Sequence, residues 1–167
     1  MLICGDPAMT CCAPQSGRQA TPIARRLSGT FRARPGGSLN AKTMKLPGAD
    51  HPITVELSRS RVVVRVAKIE IANSKNALLL REASYPPVLY IPRKDADMSR
   101  LERSQHSTYC PYKGDCSYYS IPLGGPKSVN AVWTYERPYA AVAEIQGHLA
   151  FYRDRVDSIQ VTSDSST

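Results

Sequence analysis

Hydrophobic and polar residues alternate over short stretches of this chain, and the alternation predicts β-strands. In residues 53–58 (ITVELS) every second side chain is large and apolar, which is the period of a strand that buries one face. Polar residues 73–76 supply a turn, and further strands are expected at residues 77–82, 88–91, 149–152 and 159–162. Between them, residues 61–66 and 68–72 continue a β meander and offer apolar side chains for one face: Val62, Val64, Val66, Ile69 and Ile71.

Two segments carry the signals of a helix, and both are short. Asp97 is placed to cap a turn over residues 98–103. Pro138 is placed to open a helix over residues 139–146, and Gly147 is its natural C-terminal stop. Short strands without long crossover helices cannot form a parallel sheet. We therefore expect a mostly β, antiparallel and curled single domain with one or two short helices.

The alternating pattern is confined to the region after residue 43. Residues 1–43 combine Pro, Gly, Ser, Thr and Arg with few large apolar side chains, so they cannot bury enough surface to offset the entropy of ordering them. We interpret them as a disordered basic extension, either upstream of a functional start at Met44 or similar to an organelle transit peptide. Residues 44–161 then form the single β domain, and residues 162–167 are expected to fray.

The net charge of +8 on 167 residues is concentrated in the extension. Residues 1–43 hold six Lys or Arg and one acidic residue, which leaves +3 for the remainder. There, opposite charges are interspersed, without the basic run or groove-reading motif of a nucleic-acid-binding protein. No window approaches the roughly 18 apolar residues of a membrane span. We expect a soluble protein without nucleic acid or membrane as a partner, and the pattern predicts no particular oligomeric state.

The five cysteines stand at positions 4, 11, 12, 110 and 116. Their number is odd, and no pair has the C-x-x-C spacing of a structural zinc site or a dithiol redox site. We therefore expect neither a disulfide framework nor zinc, and the sequence identifies no other cofactor. Free cysteines favour a reduced, cytoplasmic location, with organelle targeting through the basic extension as the alternative.

Reactive residue types are concentrated in residues 82–121. If residues 106–110 (HSTYC) form a strand, His106 and Cys110 project to the same face. Lys113 lies in the following turn, where its charge would lower the pKa of a nearby thiol and favour the reactive thiolate. This pattern supports a thiol-dependent enzyme with Cys110 as nucleophile or redox centre and His106 as base. The alternative is that Cys110 packs as a small buried hydrophobe, as free cysteine usually does.

All nine tyrosines and the single tryptophan lie between residues 85 and 152. Buried phenols need hydrogen-bond partners or one wet side, and a pocket with an aromatic lining provides both. The leading hypothesis is therefore a pocket for a small polar or anionic ligand. A protein-interaction module with an exposed aromatic surface is a third possibility. The residues expected in the pocket are Glu82, His106 and Lys113, which orient the ligand, and Tyr90, Tyr109, Trp133 and Tyr135, which line it.

The remaining polar residues of this region have more than one interpretation. Glu82 closes a predicted strand, where it either caps loop amides or faces Lys113 or His106. His51 and His148 stand alone in the sequence, and we assign both to structure or solvent contact.

Two glycine-containing segments are interpreted as connections. Residues 111–115 (PYKGD) place Pro at the first corner of a turn and Gly114 where a positive φ is needed, which predicts a hairpin. Residues 124–127 (GGPK) are interpreted as a loop, because they lack the phosphate-loop pattern.

Four segments together resemble a known family. They are LREASYPPVLYIP (80–92), HSTYCPYKGDCSYY (106–119), AVWTYERP (131–138) and GHLAFYRDRV (147–156), and they are similar to the family called domain of unknown function 427 over about residues 44–161. The resemblance implies a compact β-tent fold of antiparallel sheets, shared with methionine sulfoxide reductase B. Members are sometimes labelled nucleotidyltransferase-like, but this sequence has no paired carboxylates for magnesium beside a Gly-Ser turn. The paired C-x-x-C zinc motifs of many β-tent proteins are missing here, so that metal is not carried over.

Overall fold

The computed structural model describes residues 42–163, in which ten strands are connected by turns and short 3₁₀ helices. The expectations for residues 1–41 and 164–167 lie outside the described residues. The 3₁₀ helices cover Arg93–Asp95, Met98–Arg100, Pro122–Ser128 and Ala140–Ile145. The strands are β1 Ile53–Leu57, β2 Ser60–Val66, β3 Ile69–Ser74, β4 Leu78–Glu82, β5 Val88–Pro92, β6 Glu102–Cys110, β7 Gly114–Ser120, β8 Val132–Thr134, β9 His148–Phe151 and β10 Ser158–Ser163.

The strands form two antiparallel sheets, which confirms the prediction of a mostly β, antiparallel domain. The larger sheet has seven strands in the order β1-β4-β5-β9-β8-β7-β6, and the smaller has three in the order β10-β2-β3. The predicted meander is wrong at its first step, because β1 pairs with β4 rather than with β2. Strand β2 instead joins the smaller sheet, where it buries Val62, Val63 and Val64 and pairs with β3 and β10.

The seven-stranded sheet is buried on both faces in its central strands. Adjacent side chains point to opposite sides of a strand, so Tyr118 packs in a core on one side of the sheet while Tyr119 packs against the three-stranded sheet on the other. The first of these, which we call the inner core, receives Val55 from edge strand β1 and Cys110 from edge strand β6. Because both edges contribute to one core, the large sheet curls around it.

The helical predictions are partly correct. The Asp97 side chain accepts a hydrogen bond from the Ser99 amide and caps a 3₁₀ turn, but the turn ends at Arg100 and residue 102 already belongs to β6. The second predicted helix is the 3₁₀ segment Ala140–Ile145, and Gly147 follows it with φ of +71°. The segment at 124–127, interpreted as a loop, lies within 3₁₀ turns interrupted at Gly125, and the turn at 93–95 was not predicted.

Two strand boundaries also differ from the pattern. Ala67 and Lys68 both have positive φ and form the tight turn between β2 and β3, so β3 begins only at Ile69. Ile69 is 38 % exposed rather than part of the buried face, because it is paired with Val66 directly at the hairpin turn. At the other end, β10 continues to Ser163 through pairing with β2, two residues into the segment expected to fray.

No helix within the described residues is long and apolar enough to cross a membrane.

Candidate functional site

Three charged or polar side chains that are far apart in sequence meet at one end of the inner core. Glu82 is the last residue of β4, Lys113 lies in the turn between β6 and β7, and His51 precedes β1. The carboxylate of Glu82 has a partner on each oxygen: Lys113 Nζ donates to Oε2, and His51 Nε2 lies 2.9 Å from Oε1. We call this group the His51–Glu82–Lys113 cluster.

Pairing between strands brings these residues together. Strand β1 pairs with β4 in a register that sets Ile53 opposite Glu82, and the Ala83 amide donates to the carbonyl of Pro52 at 2.8 Å. These contacts hold the segment before β1 against the end of β4, so His51 reaches the carboxylate. Glu82 therefore faces Lys113, which is one of the two arrangements that the sequence left open.

The ion pair of the cluster is almost completely removed from water. Glu82 and Lys113 are each only 5 % exposed. Removing a carboxylate and an ammonium from water costs several kcal/mol for each ion, and their attraction offsets this only if the geometry and further hydrogen bonds are good. The hydrogen bond from His51 is such a bond. Glu82 thus has one partner on each carboxylate oxygen and holds two other side chains in place.

The ring of His51 is oriented on two sides. It stacks on Tyr112 with a centroid distance of 4.0 Å and an interplanar angle of 9°, and Tyr85 lies at a tilt with a centroid distance of 6.3 Å. When Nε2 carries the proton and donates it to Glu82, Nδ1 is left as a hydrogen-bond acceptor. Among residues 42–163, Nδ1 of His51 has no hydrogen-bond partner, and 16 % of the side chain remains exposed.

His51, assigned from the sequence to structure or solvent contact, is hydrogen-bonded to Glu82 and belongs to the cluster. Nothing near His51 in the sequence indicates this position. The position of His51 follows from the pairing of β1 with β4, which brings residue 53 opposite residue 82. The alternation of residues predicts a meander for β1 and so does not indicate this pairing. Within residues 42–163, the hydrogen bond of the His148 ring is between its Nδ1 and the Gln146 carbonyl at 2.9 Å, which agrees with a local structural role.

A tight hairpin presents Lys113 to the cluster. The Lys113 amide donates to the Cys110 carbonyl at 3.3 Å, and the Lys113 carbonyl accepts from the Tyr139 amide at 3.1 Å. Gly114 follows with φ of +102°, and a Cβ atom there would lie 3.4 Å from the carbonyl oxygen of Arg137. The predicted hairpin with Gly114 in a left-handed conformation is therefore confirmed.

Cys110 lies near this hairpin but is completely buried in the inner core. Burial raises the pKa of the Cys110 thiol, and the nearby charge of Lys113 opposes that rise only in part. His106 lies four residues away on the same strand, about 13 Å along it at ~3.3 Å per residue. Its ring packs against Tyr118 at a centroid distance of 4.6 Å. The structure therefore does not bring His106 to Cys110, to Glu82 or to Lys113.

Three of the four aromatic residues expected in one pocket, Tyr90, Trp133 and Tyr135, lie in or against the inner core, and Tyr109 lies apart from them. Tyr90 and Tyr135 are buried in the inner core, and the Tyr90 hydroxyl accepts a hydrogen bond from Trp133 Nε1 at 3.3 Å. Tyr109 lies on the opposite face of β6 from Cys110, with its hydroxyl 2.9 Å from that of Tyr139. Burial raises the pKa of Tyr90, and burial together with the Tyr139 hydrogen bond raises the pKa of Tyr109 to about 12.

The tyrosines as a group face inwards. All nine are buried or half-buried, as expected for phenols that have hydrogen-bond partners or one wet side. The large apolar side chains that are exposed within the described residues are aliphatic: Met44, Leu46, Leu57, Ile69, Leu123, Val129 and Val161. An exposed aromatic surface of the kind that a protein-interaction module would use is therefore not found on residues 42–163.

The part of the chain that the structure describes contains no group of three or more His, Cys, Asp or Glu side chains arranged to hold a metal ion.

The protein is a small antiparallel β domain with a curled sheet, and a buried charged cluster lies at one end of its inner core. The chain belongs to the family described as a domain of unknown function (DUF427), which matches residues 54–162. This confirms the resemblance seen in the sequence. The match includes Glu82 and Lys113, whereas His51 lies three residues before it. A comparison with curated proteins finds no match.

Proposed function

We propose that this domain binds a small polar or anionic ligand at the His51–Glu82–Lys113 cluster. The observation that carries the proposal is the buried ion pair with a histidine on its second carboxylate oxygen. Apolar residues in these positions would fill the same space without the cost of desolvating two charges. Buried, mutually orienting charged groups cluster at functional sites, because binding and proton transfer require them there.

Each member of the cluster has a distinct role in this proposal. Lys113 neutralises Glu82 and fixes its orientation, and Glu82 in turn fixes the tautomer and ring plane of His51. His51 is the group that meets the ligand, since its Nδ1 has no other partner among residues 42–163. A neutral ring accepts a hydrogen bond from a ligand O–H or N–H, whereas a protonated ring donates one to an anion.

Two tyrosines flank the ring and complete the site. Tyr112 stacks on His51 and restricts its motion. Burial and the charge of Glu82 raise the pKa of Tyr85, so its phenol stays protonated at neutral pH and is available as a donor. A ligand with both an acceptor and a donor group is therefore matched by Tyr85 and by Nδ1 of His51.

A thermal-shift screen tests the proposal, with inorganic phosphate, small carboxylic acids and nucleotides as probes. We expect at least one probe to raise the melting temperature in a saturable way, because a ligand that binds only the folded state stabilises it. His51→Ala should abolish that shift. His148→Ala is the matched control, since His148 contacts only a local carbonyl, and it should leave the shift unchanged. A screen with no stabilising probe, or shifts equal in both variants, would contradict the proposal.

The thiol-dependent enzyme with Cys110 as nucleophile or redox centre and His106 as base is the less supported candidate. A nucleophilic thiol needs a lowered pKa and access to solvent, whereas burial raises the pKa of Cys110 and its side chain has no exposed surface. Its proposed base is separated from it by about 13 Å of strand. No observation on the described residues favours this candidate over ligand binding.

A further inference from the structure

A pocket lies between the two sheets, away from the His51–Glu82–Lys113 cluster. Its volume is about 110 Å³. Aliphatic side chains from β2, β5 and β10 form one part of its wall, and none of the three cluster residues contributes to it. Its aromatic lining consists of Trp133, Phe151 and Tyr152.

The size of this pocket restricts what it can hold. A closed apolar cavity of roughly 150 Å³ accommodates benzene. The present pocket is somewhat smaller but open to solvent on one side, so one six-membered ring can enter while a substituent remains at the mouth. Aromatic walls favour a planar ring, through offset-stacked or edge-to-face contacts. Two fused rings exceed the enclosed volume, so the second ring would have to lie in solvent at the mouth.

One charged residue lines the same pocket. Arg153 is exposed and forms no ion pair or hydrogen bond with any residue between 42 and 163. The neighbouring Arg155 differs, because its guanidinium lies 4.7 Å from the Tyr152 ring centroid and donates to the carbonyls of Val129 and Asn130. Arg153 is thus a guanidinium without a partner beside an aromatic pocket, and a carboxylate is its best complement.

We infer that the pocket between the sheets binds a single-ring aromatic carboxylate, with the ring among Trp133, Phe151 and Tyr152 and the carboxylate on Arg153. This site is independent of the proposed function. It uses different residues and a ligand with an apolar body.

Fluorescence titration of the full chain tests the inference, because the chain has one tryptophan and that residue lines the pocket. The probes are benzoate, its uncharged analogue benzamide, and 2-naphthoate, which carries the same charge on two fused rings. We expect benzoate to change the Trp133 emission saturably and to bind more tightly than the other two. Free N-acetyltryptophanamide, titrated in parallel, corrects for absorption and collisional quenching.

Arg153→Gln separates the contribution of the charge from that of the ring. We expect it to weaken benzoate binding by about threefold to fivefold, the upper part of the range for one exposed ion pair, and to leave benzamide binding within about twofold of the wild-type value. Arg59→Gln is the matched control. Arg59 is also exposed and has no ion pair within the described part of the chain, but it does not line the pocket.

Three outcomes would overturn the inference. The first is an emission change no larger than that of free N-acetyltryptophanamide, which means that the pocket holds no ring. The second is equal weakening of benzoate binding by Arg153→Gln and Arg59→Gln, which removes the carboxylate from Arg153. The third is binding of 2-naphthoate as tight as that of benzoate, which contradicts the single-ring limit. Because His51→Ala leaves this pocket intact, failure here and failure of the first site are distinguishable.

Discussion

Replacing Lys113 by methionine tests whether the buried ion pair exists for stability or for binding. Methionine keeps an unbranched side chain of similar length but removes the charge, so Glu82 loses its main partner. Both side chains of the pair are 6–7 % exposed, which places them in the regime where removing one partner of a buried pair costs about 3–5 kcal/mol. Because His51 still donates to Glu82, we expect the lower end, about 3 kcal/mol.

Urea unfolding followed by Trp133 emission measures this loss. With a slope of about 1–3 kcal/mol per molar urea, a loss of about 3 kcal/mol moves the midpoint down by about 1–3 M. Arg81→Met is the matched control, because Arg81 lies on β4 beside Glu82 but forms an exposed ion pair. Its pair with Glu56 spans 3.2 Å, and the two side chains are 55 % and 58 % exposed. Exposed pairs contribute about 0–1 kcal/mol, so that midpoint should move by well under the shift for Lys113→Met.

The double variant Glu82→Leu with Lys113→Met decides between stability and function. Removing both charges leaves no uncompensated ion, and such replacements range from neutral to stabilising by about 1–4 kcal/mol. We expect a midpoint equal to or above that of the wild type, together with complete loss of ligand-induced thermal stabilisation. A double variant as unstable as Lys113→Met would refute the reasoning, since the pair would then be required for folding. A Lys113→Met midpoint close to the Arg81→Met midpoint would refute it at the first step.

Two further predictions follow from the buried thiol and from a phenol. In the folded protein, iodoacetamide should label Cys110 far more slowly than it labels free glutathione at pH 8, because the thiol is inaccessible and burial raises its pKa. Peptide mass spectrometry measures the labelling rate. Rapid labelling would favour the thiol-enzyme candidate. The pKa of Tyr109 is raised to about 12 in the folded state from an ordinary value of 10.0. Between about pH 10 and pH 12 the unfolded chain therefore binds fewer protons than the folded protein, so the stability should fall as the pH rises through this range. Urea midpoints should decline less steeply in Tyr109→Phe, and an unchanged slope would contradict the assignment.

Local sequence determined most of the strands, the turn at Gly114 and the inward position of the tyrosines. Alternation at 53–58 depends only on adjacent side chains pointing to opposite faces, and β1 spans Ile53–Leu57 as the pattern predicts. Gly114 follows the same logic, because only glycine adopts φ of +102° without strain. Nine tyrosines within 68 residues implied hydrogen-bonded or half-wet phenols, and each is buried or half-buried.

Tertiary structure alone decided which of these residues share a site. His51 and Glu82 are 31 residues apart, and they meet because β1 pairs with β4. Alternation does not predict which strands pair, because every half-buried strand has the same alternating pattern. His106 and Cys110 lie on the same strand, yet the rise of that strand separates them by about 13 Å. Periodicity therefore specifies the direction of a side chain from a strand, while the pairing of distant strands specifies its neighbours. For this protein, that pairing assembles the charged cluster at one end of the inner core and the aromatic pocket between the sheets.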